Sequence, residues 1–473
     1  MGLGIMGTME MARNAMRVAR SGAEVSGNNL ANASNPIYAR QRIKIDSAVT
    51  IPTEKGPQGS GAAVARIEQI RDSVLDASIV YENSITGYHE GKQLYLRRAE
   101  TALGQTIDNQ SIDAGGAYGT YGLSEGMTEL FNSFQSLSVS PTSIPERQTV
   151  ISSAKKIASK LRTVDERLNR LRSALNEEVK DTINQVNSKI KEVAYIAINI
   201  GNIEVVEGSA NEVRDSLQHA LEQLSKYADI ATTTNDNGEL SLFLNGHEMI
   251  TDNVMTNSVQ LTEDSVTGMY YMSELNHGNK IDPEVGYIKG MIDVRDESVK
   301  DLRDKIDTLA SQLITEVNAL HQTGYDLDGV NDSSSGFFEG SGAANIKVNA
   351  TIADNPRKLQ GSSSADATSN NDILRSIADL GSKAITGLNS VSFSEYYSNT
   401  LSRFGQDAAL TTAQFNDQKT VEKMLLKQRE SVQGVSIDEE VANLVVYQRA
   451  FQASAKLLTT MDGLMQDVLN MTR

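Results

Sequence analysis

The first thirty residues carry a stripe of small and apolar side chains at alternating spacings of three and four. Its members are Met9, Ala12, Met16, Ala19, Ala23, Ser26 and Leu30. This is the heptad spacing of a coiled-coil helix. Small seam residues bury little apolar area, so the helix cannot offset its own ordering entropy alone. The pattern therefore predicts a helix that needs a partner.

A second stripe of this kind lies near the other end of the chain. Its members are Ile437, Val441, Leu444, Gln448, Phe451, Ala455, Leu458, Asp462, Met465 and Leu469. Asp438, Glu439 and Glu440 fall in the first turn of the predicted helix, where the helix dipole favours negative charge. Periodicity alone leaves two interpretations open for the paired ends, an ordinary helical bundle and a polymer assembled through terminal helices.

The clearest helical region lies between these ends, over residues 124–204. Its apolar positions keep a heptad-like order through Leu161, Val164, Leu168, Leu171, Leu175, Val179, Ile183, Val186, Ile190 and Val193. Pro145 fits the first turn of a helix, and Gly208 breaks the pattern. Further helices are predicted over roughly 66–103, over 299–320 and from about 371 onward. Segments 37–63 and 324–372 are predicted as loops with short extended pieces such as Ile346–Val348.

Residues 229–288 have a different pattern, in which Asp236-Asn237-Gly238 separates a Thr-rich run from a Leu-Phe-Leu run. This is a β-hairpin signal. The predicted fold class is therefore mainly α with a β-rich insertion, in which paired terminal helices form the base and a small β domain forms the distal tip. The predicted domains are 1–62 plus 430–473 (terminal coiled coil), 63–228 plus 289–429 (helical rod or bundle) and 229–288 (β-rich outer domain).

Composition narrows the function classes. The chain has 473 residues, a formal net charge of −17 and no cysteine. The acidic balance argues against nucleic-acid binding and against docking on anionic lipid. The first residues lack the basic and apolar regions of a Sec signal, and no apolar run is long enough for membrane insertion. A cytoplasmic protein fits these features, and so does one exported unfolded by a dedicated machine.

Candidate chemistry is sparse. Gly2, Gly4 and Gly7 match G-x-G-x-x-G without the strand that a dinucleotide fold requires. Asp326, Asp328 and Asp332 surround Gly329, but the glycine is misplaced for a calcium loop and no closing Glu follows. The histidines, which lack metal-ligand spacing, are His89, His219, His247, His277 and His321. We predict no enzyme, metal or cofactor. The alternative is a secreted protein whose 229–288 insertion is catalytic or adhesive, with His247 and His277 as candidates.

A segment after the first helix resembles a known family. It is similar to the N-terminal signature of flagellar rod, hook and hook-associated proteins. The matching residues are Asn28-Asn29-Leu30-Ala31-Asn32, followed by Pro36, Tyr38, Arg40 and Gln41. The family usually has Thr-Pro-Gly-Tyr where this chain has Asn35-Pro36-Ile37-Tyr38. Isoleucine cannot replace glycine at a positive φ, so the tight turn at this position is a point of difference.

Interior blocks resemble the hook-associated members of this family. They are Arg214-Asp215, Gly290–Asp296, Val317–Gly329 with Gly336-Phe337-Phe338, Gly434–Glu440 and Tyr447–Ala455. Because these blocks occur in family order, the resemblance covers both ends and much of the interior. Only the 229–288 insertion is unmatched by any such block.

The resemblance implies a structural subunit of the bacterial flagellum at the junction between hook and filament, required for filament assembly. It implies export without a cleaved signal through the flagellar type III apparatus, and an extracellular location. The implied partners are other copies arranged head to tail, the hook protein, the next hook-associated protein and an export chaperone at the C-terminal helix. The implied assembly residues are the two terminal stripes, the signature residues and Asp438, Glu439 and Glu440. A hook or distal-rod protein is the alternative within the class.

Overall fold

Helices dominate the computed structural model, which describes residues 4–53, 56–103 and 122–471. The helices are α1 (Gly4–Ala31), α2 (Ser73–Leu103), α3 (Leu123–Val139), α4 (Ile144–Glu207), α5 (Asn211–Ser225), α6 (Tyr287–Asp293), α7 (Val299–His321), α8 (Ala350–Asp354), α9 (Asp372–Asp379), α10 (Phe393–Gln433) and α11 (Ile437–Met471). A π-helical turn, Val294–Ser298, joins α6 to α7. The predicted α-rich fold with long terminal helices and a central β-rich insertion is confirmed.

The strands fall into two groups. The first comprises β1 (Gln41–Ser47), β2 (Thr50–Thr53), β3 (Gly56–Gly59) and β4 (Ala62–Gln69). The second comprises β5 (Ile230–Thr234), β6 (Leu240–Leu244), β7 (His247–Thr251), β8 (Val254–Met255), β9 (Val259–Glu263), β10 (Tyr270–Glu274) and β11 (Lys280–Ile281). A small pair, β12 (Phe338–Glu339) and β13 (Lys347–Val348), contains the extended piece predicted at 346–348.

The central helix α4 has 64 residues, which corresponds to about 96 Å at 1.5 Å per residue. The Ser143 hydroxyl accepts the Glu146 N–H at its start, Pro145 lies in its first turn, and Gly208 ends it at a φ of 87°. Nine of the ten predicted heptad positions are buried, and Leu171 is half-buried. These side chains join one continuous core with α2, α3 and α7, so α4 is the axis of the rod.

A β-ribbon replaces the loop predicted after α1. Strand β1 pairs antiparallel with β4, and β2 pairs with β3. The helix predicted from residue 66 begins only at Ser73, because Asp72 Oδ1 accepts the N–H groups of Val74 and Leu75 and so caps the helix there. The predicted domain boundary at residues 62 and 63 therefore falls inside β4.

The insertion forms two sheets, with strand orders β5-β6-β7-β8 and β11-β10-β9. The hairpin predicted at 236–238 joins β5 to β6, with Gly238 at a φ of 83°. The sheets lie along the second half of α4, where Asn176 Oδ1 accepts the Tyr270 N–H and Asn187 Oδ1 accepts the Val259 N–H. They do not form the distal tip. Their buried faces belong to the same core as α4, which holds the insertion against the side of the rod.

The end of α4 farthest from the terminal helices is formed by other segments. Buried Arg147, near the start of α4, donates to the Pro141 carbonyl at 2.9 Å and to the Leu359 carbonyl. Loops between α7 and α10, together with α3 and α9, cover this end. No helix in the described ranges combines the length and apolar character needed to cross a membrane.

Candidate assembly site

The terminal helices pack against each other in antiparallel orientation. Gly22, in the second half of α1, lies against the ring of Tyr447, in the first half of α11. A Cβ at residue 22 would overlap this ring, so glycine sets the closest approach of the two helices. This pairing of the chain ends was predicted from the small-residue stripe, although Gly22 was not among the predicted positions.

The stripe predicted on α1 largely coincides with the face that α1 buries. Ala12, Ala19 and Ser26 are buried, whereas Met9, Met16, Ala23 and Leu30 are half-buried. Three further residues are buried, namely Gly22, Val25 and Asn29. In the second half of α1 the covered face is therefore rotated slightly from the predicted stripe.

The stripe predicted on α11 is rotated away from α1. Leu444, Ala455, Leu458 and Met465 are half-buried, but Ile437, Val441, Gln448, Phe451, Asp462 and Leu469 are exposed. Among the described residues of α11, Glu440 alone is buried. Within one chain, the stripe predicted on α11 is therefore only partly covered. The cause is that Tyr447 and Glu440 are fixed against α1 and the signature loop, which sets the rotation of the helix.

Asn29 organises the loop that follows α1. Its Oδ1 accepts the Tyr38 hydroxyl at 2.8 Å and the Gln41 N–H at 3.0 Å, while its Nδ2 donates to the Gln41 carbonyl at 2.8 Å. Asn29 is only 1% exposed. Burial, with Asp215 nearby, raises the pKa of Tyr38, which therefore stays a neutral donor. An amide at residue 29 supplies the donor and the acceptor that this arrangement requires.

The other signature asparagines hold the neighbouring turn. Asn32 Nδ2 donates to the Asn28 carbonyl at 3.0 Å and to its side-chain oxygen at 2.7 Å, and Asn28 Nδ2 reaches Glu212 at 3.2 Å. Asn35 Oδ1 accepts the Ile37 N–H, and its carbonyl accepts the Tyr38 N–H. Ile37 is not among the residues at positive φ, so this turn forms without the glycine usual in the family.

Arg40 joins this loop to the start of α11. Its Nε donates to Glu440 and its Nη1 donates to Glu439, each at 2.7 Å. The Glu440 side chain is 2% exposed, so its charge is desolvated and needs this partner. The Arg40 N–H also donates to the Gln433 carbonyl, at the end of α10. We call this arrangement, in which Arg40 donates to both Glu439 and Glu440, the fork. The fork fixes where α11 begins and in which direction it leaves the rod. Asp438, the third acidic residue of this turn, is exposed.

A buried polar network continues from Arg40 into the rod. Arg71 donates to Asp215 at 2.7 Å and to Asp76 at 3.1 Å, and Gln433 Nε2 reaches Asp76 at 3.3 Å. Burial raises the pKa of both aspartates above their usual range, although Arg71 lies beside each. The Ala39 N–H donates to Asp215 as well. This network connects the signature loop to the ends of α2, α5 and α10.

Two family models match the chain. The model described as the flagellar hook-associated protein FlgK helical domain matches residues 111–338. The model described as the flagellar basal body rod FlgEFG protein C-terminal matches residues 429–471. Flagellar hook-associated protein 1 of Bacillus subtilis is 25% identical, over 98% of this chain and 97% of that protein. The chain is similar to flagellar hook-associated protein 1 along nearly its whole length.

A second curated relative aligns along nearly the whole chain, and a solved structure aligns along part of it. Flagellar hook-associated protein 1 of Salmonella typhimurium is 22% identical, over 97% of this chain and 98% of that protein. The solved flagellar hook junction protein FlgK of Burkholderia pseudomallei has a TM-score of 0.48 and 18% identity, and the alignment covers 56% of this chain and 46% of that one.

The two family models match longer stretches of the chain than the sequence blocks described above. The helical-domain model spans the 229–288 insertion, for which no resemblance was found. The C-terminal model coincides with α11 and the end of α10. Sequence reasoning missed Gly22, Arg71, Asp76 and Gln433. Of these four residues only Gly22 could have been found from the sequence, because it is a small residue directly before Ala23 of the small-residue stripe.

The two candidate histidines of the insertion have structural roles. His247 Nδ1 is 2.6 Å from Glu274 Oε1, and His277 Nδ1 is 3.3 Å from Oε2 of the same carboxylate. The hydrogen bond from His247 lowers the pKa of Glu274. Asn279 donates to Glu274 as well, so this carboxylate ties together the turns of two sheets. No group of three potential ligands in the described ranges is arranged to hold a metal.

The remaining candidates are also accounted for locally. Asp326 Oδ1 accepts the N–H groups of Asp328 and Val330, and Lys358 donates to Asp326 Oδ2 at 2.9 Å. The acidic cluster is therefore a polar turn held by a cation of the chain itself. Gly4 and Gly7 lie within α1, while Gly2 lies outside the described residues. His89 and His219 are part of α2 and α5, away from any such cluster.

Proposed function

We propose that this chain is a structural subunit of the bacterial flagellum that forms the junction between hook and filament and is required for filament assembly. The similarity to flagellar hook-associated protein 1 of two bacteria supports this proposal, because both relatives align along nearly the whole chain. In this view the chain acts through contacts between folded subunits. No catalytic step is part of the proposal.

The exposed apolar face of α11 carries the proposal. Ile437, Val441, Phe451 and Leu469 are exposed in the single chain, although they follow coiled-coil spacing. A heptad stripe that its own subunit does not cover is suited to a helix from another subunit. We infer that copies associate head to tail through α1 and α11, which gives an open helical array rather than a closed dimer.

The signature loop has a defined part in this assembly. Asn29, Tyr38 and Gln41 fix the turn after α1, and Arg40 fixes the start of α11. The predicted assembly residues thus divide into two sets. The loop residues orient the helix pair within one subunit, and the exposed α11 stripe contacts neighbouring subunits.

The domain arrangement follows from the same proposal. Residues 1–62 plus 430–473 form the inner coiled-coil tube, with the β-ribbon at its junction to the rod. Residues 63–228 plus 289–429 form the next shell. Residues 229–288 face outward from the side of the rod, where their sheets pack on α4.

The proposed partners are other copies of the chain, the hook protein, the next hook-associated protein and an export chaperone that binds α11. Export through the flagellar type III apparatus without a cleaved signal, to an extracellular site, completes the proposal. An amphipathic helix with one exposed apolar face is the kind of segment that a chaperone covers before assembly. Neither nucleic acid nor membrane insertion has a part in it.

The alternatives have less support. A hook or distal-rod protein should have a strand-rich middle, whereas the middle of this chain is built on the 64-residue helix α4. A catalytic insertion would use His247 and His277, yet both are engaged with Glu274.

Deletion of the gene tests the proposal. We expect hooks without filaments, with flagellin released into the medium, and recovery when the intact gene is restored. Complementation by a Phe451→Asp variant should fail, although the purified variant should fold, because Phe451 is exposed in the single chain. A deletion strain that builds normal motile filaments would overturn the junction role.

A further inference from the structure

A second row of apolar side chains runs along α11, separate from the row predicted from the sequence. At about 100° per residue, Tyr447, which packs on α1, lies between the two rows. Val446 and Leu464 of the second row are 61% and 46% exposed. Spacings of three and four residues again indicate a coiled-coil seam. We call the row predicted from the sequence stripe A. The second row is stripe B, which comprises Val446, Ala450, Ala453, Leu457, Met461, Leu464, Val468 and Met471.

Apolar side chains thus occupy three sides of α11, namely the contact with α1 and the stripes on either side of that contact. The remaining side is polar and carries Arg449, Gln452 and Lys456, which are all exposed. A helix that is apolar around most of its circumference is normally buried. The single chain covers only the α1 side, since Glu440 alone is buried among the described residues of α11. Each stripe is therefore left for a further helix to cover.

The two stripes are complementary to each other. Copies in an open helical array carry α11 in the same direction, and parallel helices pair equivalent heptad positions. A shift of about five residues between the two helices, or about 7.5 Å, brings the equivalent positions of stripes A and B level. The small alanines of both stripes then allow the helices to approach closely. The level pairs are Phe451 with Val446, Ala455 with Ala450, Leu458 with Ala453 and Leu469 with Leu464.

The charged residues of α11 select this shift among the heptad alternatives. Asp462 is the charged residue of stripe A, whereas Lys456 and Arg449 border stripe B. All three are exposed, and none of them forms an ion pair within the described part of the chain. Asp438 and Asp467 lie near the two ends of the same border, so only its middle is suited to a carboxylate.

The shift of about five residues brings Lys456 beside Asp462, within reach of its long side chain. A shift smaller by one heptad leaves Asp462 with no cation beside it. A shift larger by one heptad brings Arg449 to Asp462 but pairs fewer apolar residues. Apolar contact and charge therefore agree on one register.

We propose that stripe A of one copy packs on stripe B of the next copy, with the two α11 helices parallel and shifted by about five residues. In this contact Asp462 pairs with Lys456 of the neighbouring copy. The inference rests on the proposed function, because it requires copies to stand side by side in a polymer. A contact between two different stripes propagates from copy to copy rather than closing a dimer. It assigns a direct contact between α11 helices, in addition to the pairing of α1 with α11 within each chain.

Disulfide formation tests the register. The chain has no cysteine, so Ala450→Cys with Ala455→Cys supplies the only thiols. Oxidation of purified hook–filament preparations should give covalent multimers, because the two Cβ atoms lie close across the contact. The matched pair Ala450→Cys with Gln448→Cys fits the register one heptad away and should stay monomeric. Absence of multimers from the first pair, or more multimers from the second, would overturn the contact.

A charge swap tests the pairing independently. Asp462→Lys should lower the fraction of hooks that carry filaments by about tenfold, because like charges then meet. Adding Lys456→Asp in the same chain should restore filaments. Asp467→Lys makes the same change at an exposed residue outside the pairing, and should assemble normally. Unaltered filaments in the Asp462 variant, or no recovery in the double variant, would count against the ion pair.

These experiments keep the two proposals separate. A strain that needs the gene for filaments yet gives no multimers from the Ala450 and Ala455 pair overturns the contact between α11 helices alone. Filaments in the deletion strain would instead overturn the junction role.

Discussion

The rod helix α4 and the terminal helix α11 follow the same heptad spacing but bury it differently. In α4 the apolar positions from Leu161 to Val193 are nearly all buried within one subunit. In α11 the equivalent positions are half or fully exposed, and Glu440 alone is buried among the described residues. The rod thus completes its core within the chain, whereas the terminal pair leaves apolar side chains of α11 exposed.

This difference has a sequence basis. The α4 stripe consists of Leu, Ile and Val, each of which buries a large apolar area. The buried face of α1 contains Ala12, Ala19, Gly22 and Ser26, which allow close approach and bury little apolar area. We therefore expect the rod to be stable as a monomer, and the terminal pair to gain most of its stability on assembly.

The largest expected effect is the loss of stability caused by a charge placed in the rod core. Ile183→Asp buries an unpaired carboxylate at a position that is 1% exposed, and should destabilise the monomer by about 4 kcal/mol or more. Urea unfolding of the purified protein measures this. The matched control is Ile198→Asp on the exposed face of the same helix, which should change stability by less than about 1 kcal/mol. Equal losses at the two positions would contradict the assigned core.

The second effect concerns the pH dependence of the rod. His321 is buried and accepts the Gln360 N–H at 3.1 Å, and burial lowers the pKa of its imidazole to about 4. Between pH 6.5 and 4 the His321 imidazole is protonated in the unfolded chain but stays neutral in the folded chain. Stability is therefore fully present above pH 6.5 and falls as the pH drops, by about 3 kcal/mol from this group.

His321→Gln checks this because it retains an acceptor without the titrating ring. The difference in unfolding free energy between wild type and variant should shrink from neutral pH toward pH 4. A difference that does not vary with pH would contradict the neutral, buried state of His321.

The third effect tests the closest approach of the terminal helices. Gly22→Ala forces the Tyr447 ring to move, and should weaken the α1–α11 pairing by about 2 kcal/mol. Gly27→Ala is the matched control, because a Cβ there meets nothing within 4 Å. That variant should be neutral, or more stable by about 0.5–1 kcal/mol through helix propensity. Thermal unfolding followed by circular dichroism compares the two, and a Gly22→Ala protein as stable as the control would refute the packing.

The smallest effect is expected at the fork between the signature loop and α11. Arg40→Lys keeps the positive charge but cannot hold Glu439 and Glu440 together, so the start of α11 should loosen by about 1 kcal/mol. Amide exchange at residues 437–444 measures the change. Arg42→Lys is the control, since Arg42 makes an exposed pair with Glu68. Unchanged exchange in the Arg40 variant would show that the fork does not set the start of α11.

The sequence predicted the parts of the fold that depend on local pattern. The heptads of α4, the helix start at Pro145 and the hairpin at Gly238 are set by neighbouring residues, and the structure agrees with each. The ribbon of β1 and β4 was missed, because its alternation is weak and most of its β1 side chains are exposed. Its position depends on packing against α1, which no local pattern encodes.

The residues of the candidate site could be predicted from the sequence better than their arrangement in space. The resemblance singled out Asn29, Tyr38, Arg40 and Gln41, and the structure joins all four to specific partners. The rotation of α11 could not be predicted, because it depends on contacts such as Gly22 with Tyr447 that are distant in sequence. The position of the insertion beside α4, rather than at the tip, likewise depends on long-range packing.

Amide hydrogen exchange on monomeric and assembled protein tests the central claim most directly. In the monomer, residues 437–469 should exchange much faster than residues 161–193 of α4, and 5–30 should also be weakly protected. Both terminal segments should become protected in assembled hook–filament junctions, because neighbouring subunits then cover them. Protection of α11 in the monomer equal to that of α4 would contradict the account.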